Sequence, residues 1–232
     1  MLANLGYIIK KFIRKNDLIV YYKNKIKKNM KEFKLNEKDY KMPTDWKEMT
    51  LAHYVELSKL EENKTKYLFG ELYLLKVIEN LCMAEPGELD DLTLDIVNEL
   101  SEALVYLQQE PTWANSKHIR VGEIDYVFPP DLNKLTMGEY ISMKTLQEQS
   151  ITQSDAIPFI LAVILRPGKL VKDEESGKEN WIQDKFDANN IEYRKNLFMT
   201  LPVFDLMGPV SFFLNGNGTS MSNLRAYTVV PE

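Results

Sequence analysis

Ile119–Leu146 reads IRVGEIDYVFPPDLNKLTMGEYISMKTL, and Phe33–Leu60, 86 positions earlier, reads FKLNEKDYKMPTDWKEMTLAHYVELSKL. The two stretches align over 28 positions without a gap and share eight identities: Glu37/Glu123, Asp39/Asp125, Tyr40/Tyr126, Pro43/Pro129, Asp45/Asp131, Thr50/Thr136, Tyr54/Tyr140 and Leu60/Leu146. Chance pairing at ordinary composition gives roughly two. Other pairs keep their type, such as Lys34/Arg120, Leu35/Val121, Met49/Leu135 and Val55/Ile141. Repetition at a fixed offset has to be read before any single element, because each copy is one structural unit.

The aligned positions make physical sense. Ile119–Val121, Gly122-Glu123 and Ile124–Tyr126 read as a hairpin with a two-residue loop, and a glycine first in the loop suits a type II′ turn. This register sets Val121 opposite Ile124, Arg120 opposite Asp125 and Ile119 opposite Tyr126. Apolar pairs then share one face and an opposite-charge pair takes the other. The first copy repeats the scheme with Asn36-Glu37 in the turn, Lys34 facing Asp39 and Phe33 facing Tyr40. Asparagine tolerates positive φ and replaces glycine there.

A helix entry follows in both copies. Pro43 and Pro129 end the second strand. Thr50 and Thr136 stand as N-caps, and Thr136-x-x-Glu139 is a capping box. The first copy has His53 at that position and is expected to lack the box. Met49 with Tyr54, and Leu135 with Tyr140, are spaced as hydrophobic staples. Each copy then continues into apolar helical runs, Glu71–Met83 and Asp155–Arg166, the second with Pro158 in its first turn. A third helix is expected over Thr93–Gln109, and another over Ile191–Leu214, broken at Leu201-Pro202 and Gly208-Pro209.

The fold class expected is α+β, mainly α: two tandem, pseudo-symmetric copies of a β-hairpin followed by a helical bundle. The divisions are a basic arm at 1–29, copy one at 30–115, copy two at 116–215 and a flexible tail at 216–232. The copies differ most at 168–190, a polar insertion read as a long loop. Within it Trp181 and Ile182 are either an anchor for a partner or side chains folded back on the body. Tyr227, in the β-prone run Arg225–Val230, is a further candidate contact.

The 232 residues carry a net charge of −5, unevenly spread. Residues 1–29 hold eight basic side chains and one acid, a net +7, and the rest hold 21 basic and 33 acidic, a net −12. An acidic body does not attract nucleic acid. The arm, with Lys10, Lys11 and Arg14 among apolar residues, has three readings. It is an amphipathic segment for a membrane or nucleic acid, a segment docked on a neighbouring subunit, or upstream sequence ahead of a start at Met30. It lacks the clean apolar core and small-residue cleavage site of a secretory signal. The single cysteine, Cys82, excludes an internal disulfide and reads as a small buried hydrophobe.

No catalytic constellation is present in the sequence. His53 and His118, the only histidines, are expected at the surface. One cysteine and two distant histidines do not supply a zinc site. No phosphate loop or nucleophile elbow occurs. Glu88, Asp90 and Asp91 precede a helical run and complement its dipole. Neither catalytic, cofactor-binding nor metal-binding residues are therefore assigned, and an enzyme is not expected.

The run Pro43–Leu57 (PTDWKEMTLAHYVEL), its second copy Asp131–Ile141 (DLNKLTMGEYI) and the ending Leu201–Leu214 (LPVFDLMGPVSFFL) resemble small tail-assembly and virion proteins of tailed bacteriophages, of the kind that infect Bacteroidetes. The resemblance covers roughly residues 31–215 and carries no catalytic residues. It implies a tail assembly chaperone or a structural component of the tail, found in the virion or the host cytoplasm. The implied partners are other phage tail or virion proteins, or further copies of the chain. The alternative is an adaptor that binds a membrane surface or nucleic acid through the basic arm.

Overall fold

A computed structural model describes residues 30–67, 69–109, 111–114, 116–129, 135–150, 152–175 and 177–207. They form a mixed α+β protein. The chain divides into two compact units, with the boundary between Pro111 and Thr112.

Unit 1 opens with the antiparallel hairpin β1 (Lys31–Leu35) and β2 (Lys38–Met42). Its register pairs Lys34 with Asp39 and Phe33 with Tyr40, as the alternation requires. The Phe33 and Tyr40 rings stack at 5.3 Å. The turn differs from its expected form. Asn36 (φ 48°) and Glu37 (φ 66°) are both left-handed, which makes it a type I′ turn. In the other hairpin only Gly122 (φ 60°) is positive, as in type II′.

Helix α1 (Leu51–Glu62) starts at the Thr50 cap. The capping box expected to be missing is present. Thr50 Oγ1 accepts from the His53 backbone N–H at 3.4 Å, and Thr50 N–H donates to His53 Nδ1 at 3.0 Å. A neutral imidazole nitrogen is an acceptor within the same reach as a glutamate oxygen. The ring also meets the end of the next helix at the Leu81 carbonyl, so His53 is buried, 8% exposed, and not a surface residue.

After a 3₁₀ turn at Lys64–Lys66 comes α2 (Gly70–Cys82), whose Tyr73, Leu74, Val77, Ile78 and Leu81 form one buried face. It ends in a Schellman cap: Ala84 N–H donates to Glu79 C=O at 3.0 Å and Met83 N–H to Asn80 C=O at 3.2 Å, with Met83 left-handed. Helix α3 (Leu94–Glu102) is capped by Thr93 and runs into a 3₁₀ stretch at Ala103–Gln108. Trp46 seals this end. Its Nε1–H donates to Tyr106 C=O at 3.2 Å and its ring meets Tyr106 edge-on.

Unit 2 contains β3 (His118–Val121), β4 (Ile124–Val127), α4 (Met137–Gln149), α5 (Gln153–Ile164), β5 (Arg166–Lys172), β6 (Glu179–Gln183), a 3₁₀ turn at Ala188–Asn190 and α6 (Ile191–Met199). The β3–β4 register is the expected one. The segment read as a polar loop is mostly sheet: β5 and β6 form a second hairpin, giving the antiparallel order β3-β4-β5-β6. The acids that suggested a loop occupy its turn. Gly177 takes φ 67°, Asp173 C=O accepts from Gly177 N–H at 2.9 Å, and Asp173 N–H donates to Lys178 C=O at 2.8 Å.

Helix α5 begins two residues earlier than its apolar run suggests, because Thr152 and Asp155 form a capping box. Pro158 therefore lies past the first turn, inside the helix, and cannot donate to the Ser154 carbonyl. The chain breaks after α6 at Leu201-Pro202, and a further helical turn spans 203–207. The second expected break, Gly208-Pro209, lies outside the described residues.

Candidate functional site

The sheet of unit 2 has two unlike faces. Alternation puts Tyr126, Ile124 and Ile182 on one of them, with Tyr126 paired to Pro167 and Lys169 to Ile182. Tyr126 is buried edge-on against Phe198 of α6, ring centroids 5.2 Å apart. Towards the hairpin ends the same face emerges from that cover, leaving Ile124 45% and Ile182 50% exposed.

The other face turns inward on itself. The His118 ring stacks on Trp181 at 4.2 Å, and Asp125 lies 3.6 Å from Arg120 and 3.9 Å from His118. Gly168 makes this curl possible. A Cβ there would come within 2.5 Å of Ile182 C=O and 2.8 Å of Val127 Cγ2. The two adjacent candidates thus separate. Trp181 stacks on its own sheet, and Ile182 is presented to solvent.

Helix α4 is held by a buried polar seam. Thr136 donates from N and from Oγ1 to Glu139 Oε2, each at 2.6 Å, and Glu139 N–H returns a bond to Thr136 Oγ1, which is the expected capping box. Arg166 Nη2 sits 2.8 Å from Glu139 Oε1, an ionic contact whose angles fall short of a hydrogen bond. The same nitrogen donates to Gln183 Oε1 at 2.8 Å, and Gln183 Nε2 donates to the carbonyls of Val127 and Ile164. Arg194 of α6 closes the end of α5, its Nε donating to Ala162 C=O at 2.6 Å. Glu139, Arg166 and Gln183 thus link the start of α4 to β5 and β6.

With Glu139 facing inward, the next face of α4 points out. Met137 is 71% exposed, Ile141 55% and Tyr140 36%. At the aligned positions of α1, Leu51 is 0% and Val55 2% exposed. The sequence pattern could not distinguish these two fates, since both helices carry the same apolar spacing. The signal it held was the offset alignment, which flags the positions for comparison but not their cover.

In unit 1 the acids before α3 serve the first hairpin as well as the dipole. Glu88 pairs with Lys38, and Asp91 accepts from Asn36 Nδ2 at 3.0 Å. The Lys38 ammonium, as hydrogen-bond donor, holds the Glu88 carboxyl below its ordinary range. The buried carboxylates are also matched: Glu61 by Lys64 at 2.6 Å and by the Tyr73 hydroxyl at 2.8 Å, Glu79 by Lys76 at 2.6 Å and by Gly87 N–H at 3.0 Å. Cys82 is half-buried, and burial pushes its thiol up to about 12, so it is inert as a nucleophile. Among the described residues no group of three or more His, Cys, Asp and Glu is placed to hold a metal ion. No described helix is long and apolar enough to cross a membrane. Lys10, Lys11, Arg14 and Tyr227 lie outside the described residues.

No protein-family model, curated protein or solved structure matches this chain. The exposed apolar side chains of the site lie on α4, at Met137, Tyr140 and Ile141, and on the sheet of unit 2, at Ile124 and Ile182.

Proposed function

We propose that the chain is a non-enzymatic assembly or structural protein of a tailed-bacteriophage virion, acting through protein–protein contacts in the particle or in the host cytoplasm. We further read it as a tandem, pseudo-symmetric duplication of one hairpin-then-helix unit. The observation that carries the contact role is the outward face of α4, where Met137, Tyr140 and Ile141 are exposed although the aligned Leu51 and Val55 are core residues. Met, Ile and Tyr grouped on one helix face suit burial against a protein partner. The phage assignment rests on the resemblance of Pro43–Leu57, Asp131–Ile141 and Leu201–Leu214. Co-expression with the products of the genes that flank this chain's own, followed by size-exclusion with light scattering, tests it. A complex lost on combining Met137→Asp with Ile141→Asp is expected. A chain that elutes apart from every such protein overturns the reading.

A second reading rests on the +7 charge of residues 1–29. It makes the chain an adaptor for a membrane surface or nucleic acid. Co-sedimentation of the full chain, and of the chain from Met30 onward, with anionic liposomes and with DNA separates the two. Binding that vanishes with the arm favours the adaptor.

A further inference from the structure

We propose that His53 is an acid-sensitive latch: taking up a proton there undoes the cap of α1 and loosens its seat on the end of α2, while α4 of unit 2 keeps its own cap. The argument starts from the two ring nitrogens. Nδ1 accepts from Thr50 N–H at 3.0 Å and lies 2.8 Å from Thr50 Oγ1, so it must be unprotonated to complete the box. The ring also meets the backbone carbonyl of Leu81, in the last turn of α2. A second bond runs the other way, from Asn80 Nδ2 of α2 to Glu56 C=O of α1 at 3.3 Å. One neutral imidazole thus closes the start of one helix against the finish of the next.

A proton on Nδ1 would turn the acceptor of Thr50 N–H into a donor, leaving that N–H unmatched even if Thr50 Oγ1 accepts the new proton. It would also place positive charge at the N-terminal end of α1, where the helix dipole disfavours it. The Leu81 carbonyl favours the cation, but burial outweighs it and holds the ring below the ordinary histidine value. The ionisable groups on the two helices do not offset this. Glu56 is paired with Lys59, Glu79 with Lys76, and the Cys82 thiol is neutral. Burial, ahead of the Leu81 carbonyl, sets the direction of the shift. Because the folded value is depressed, the stabilisation is complete above about pH 6.5 and is lost as pH falls towards the folded value. At the aligned position of unit 2 stands Glu139, whose carboxylate already carries the charge that the helix start prefers.

The full chain tests this by amide hydrogen exchange at pH 7.5 and 5.5, corrected for intrinsic rates. Protection over residues 51–56 should fall about fivefold or more relative to residues 137–142. In His53→Gln the side-chain carbonyl still accepts from Thr50 N–H and does not titrate, so that fall should disappear. An equal fall in both helices, no fall in the wild type, or an unchanged fall in His53→Gln overturns the proposal. The wild-type ring provides a check that needs no variant. The chain has two histidines, so their imidazole resonances are readily assigned, and a His53 titration at or above 6.5 also overturns it.

Discussion

Helices α1 and α4 begin alike and end up in opposite surroundings. Both follow a hairpin of the same register, both are capped by threonine, and both close a capping box three residues on. Yet α1 buries seven of its twelve residues, whereas Glu139 is the one residue of α4 buried among those whose side chains are described. Local pattern sets where a helix starts and which way it leaves the sheet. What covers its face depends on the elements that come later. Unit 1 continues into α2, whose buried face packs on α1. Unit 2 follows α4 with α5, which packs on it yet leaves Met137, Tyr140 and Ile141 exposed, and only then adds β5 and β6 to the sheet.

The polar anchors differ in the same way, and removing one should separate the units most strongly. Arg166→Met leaves the buried Glu139 carboxylate with its Thr136 donors but no counter-charge. Stripping one partner from a buried ion pair costs about 3 kcal/mol or more. Urea unfolding should show that loss, with hydrogen exchange assigning it to unit 2. A loss under about 1 kcal/mol would mean that the seam is solvated in solution.

The next contrast compares aligned positions directly. Leu51→Ala removes a fully buried side chain and should cost about 3 kcal/mol. Met137→Ala, at the same place in α4, should change stability by no more than about 0.5 kcal/mol in the isolated chain. Equal costs would show that the α4 face is covered in solution, by another copy for instance, and a concentration-dependent Tm would accompany them.

Much of the fold was legible where the code is local. Strand alternation specified both hairpin registers, and Thr50, Thr93 and Thr136 were readable as helix starts. Errors arose where two chemistries share a role. His53 substitutes for a capping acid, and a box search limited to Glu and Gln passes over it. Thr152 and Asp155 were hidden by an apolar run that draws attention two residues downstream. The β5–β6 hairpin was obscured by its own turn, since charge at Asp173–Glu175 outweighs the alternation of the flanking strands. The site was less legible than the fold. Ile182 could be flagged as a large apolar residue in a polar stretch, but the exposure of Met137 and Ile141 depends on cover, and cover is a tertiary property.

Gly168 offers a smaller, geometric test of how unit 2 departs from unit 1. Gly168→Ala brings a methyl group against the β6 backbone and Val127, and the sheet must open to admit it. A cost of about 2 kcal/mol is expected. The change should also weaken the His118–Trp181 stack, which tryptophan fluorescence would report as a red shift. A neutral Gly168→Ala would mean that the curl is not needed for stability.

The smallest effect should be a gain, and it belongs to unit 1. Glu37 holds φ 66° in the type I′ turn, where a side chain carries a steric penalty that glycine escapes. Unit 2 avoids the problem by placing Gly122 at its left-handed position. Glu37→Gly creates the Asn-Gly pair that type I′ turns favour, and Glu37 is exposed, so little packing is lost. Thermal unfolding should show stabilisation of about 1 kcal/mol. The gain separates turn geometry from the neighbouring polar contacts, because the Lys38–Glu88 ion pair and the Asn36–Asp91 hydrogen bond do not involve the Glu37 side chain. If Glu37→Gly instead destabilises the chain, then the Glu37 side chain, and not the backbone turn, supports this hairpin.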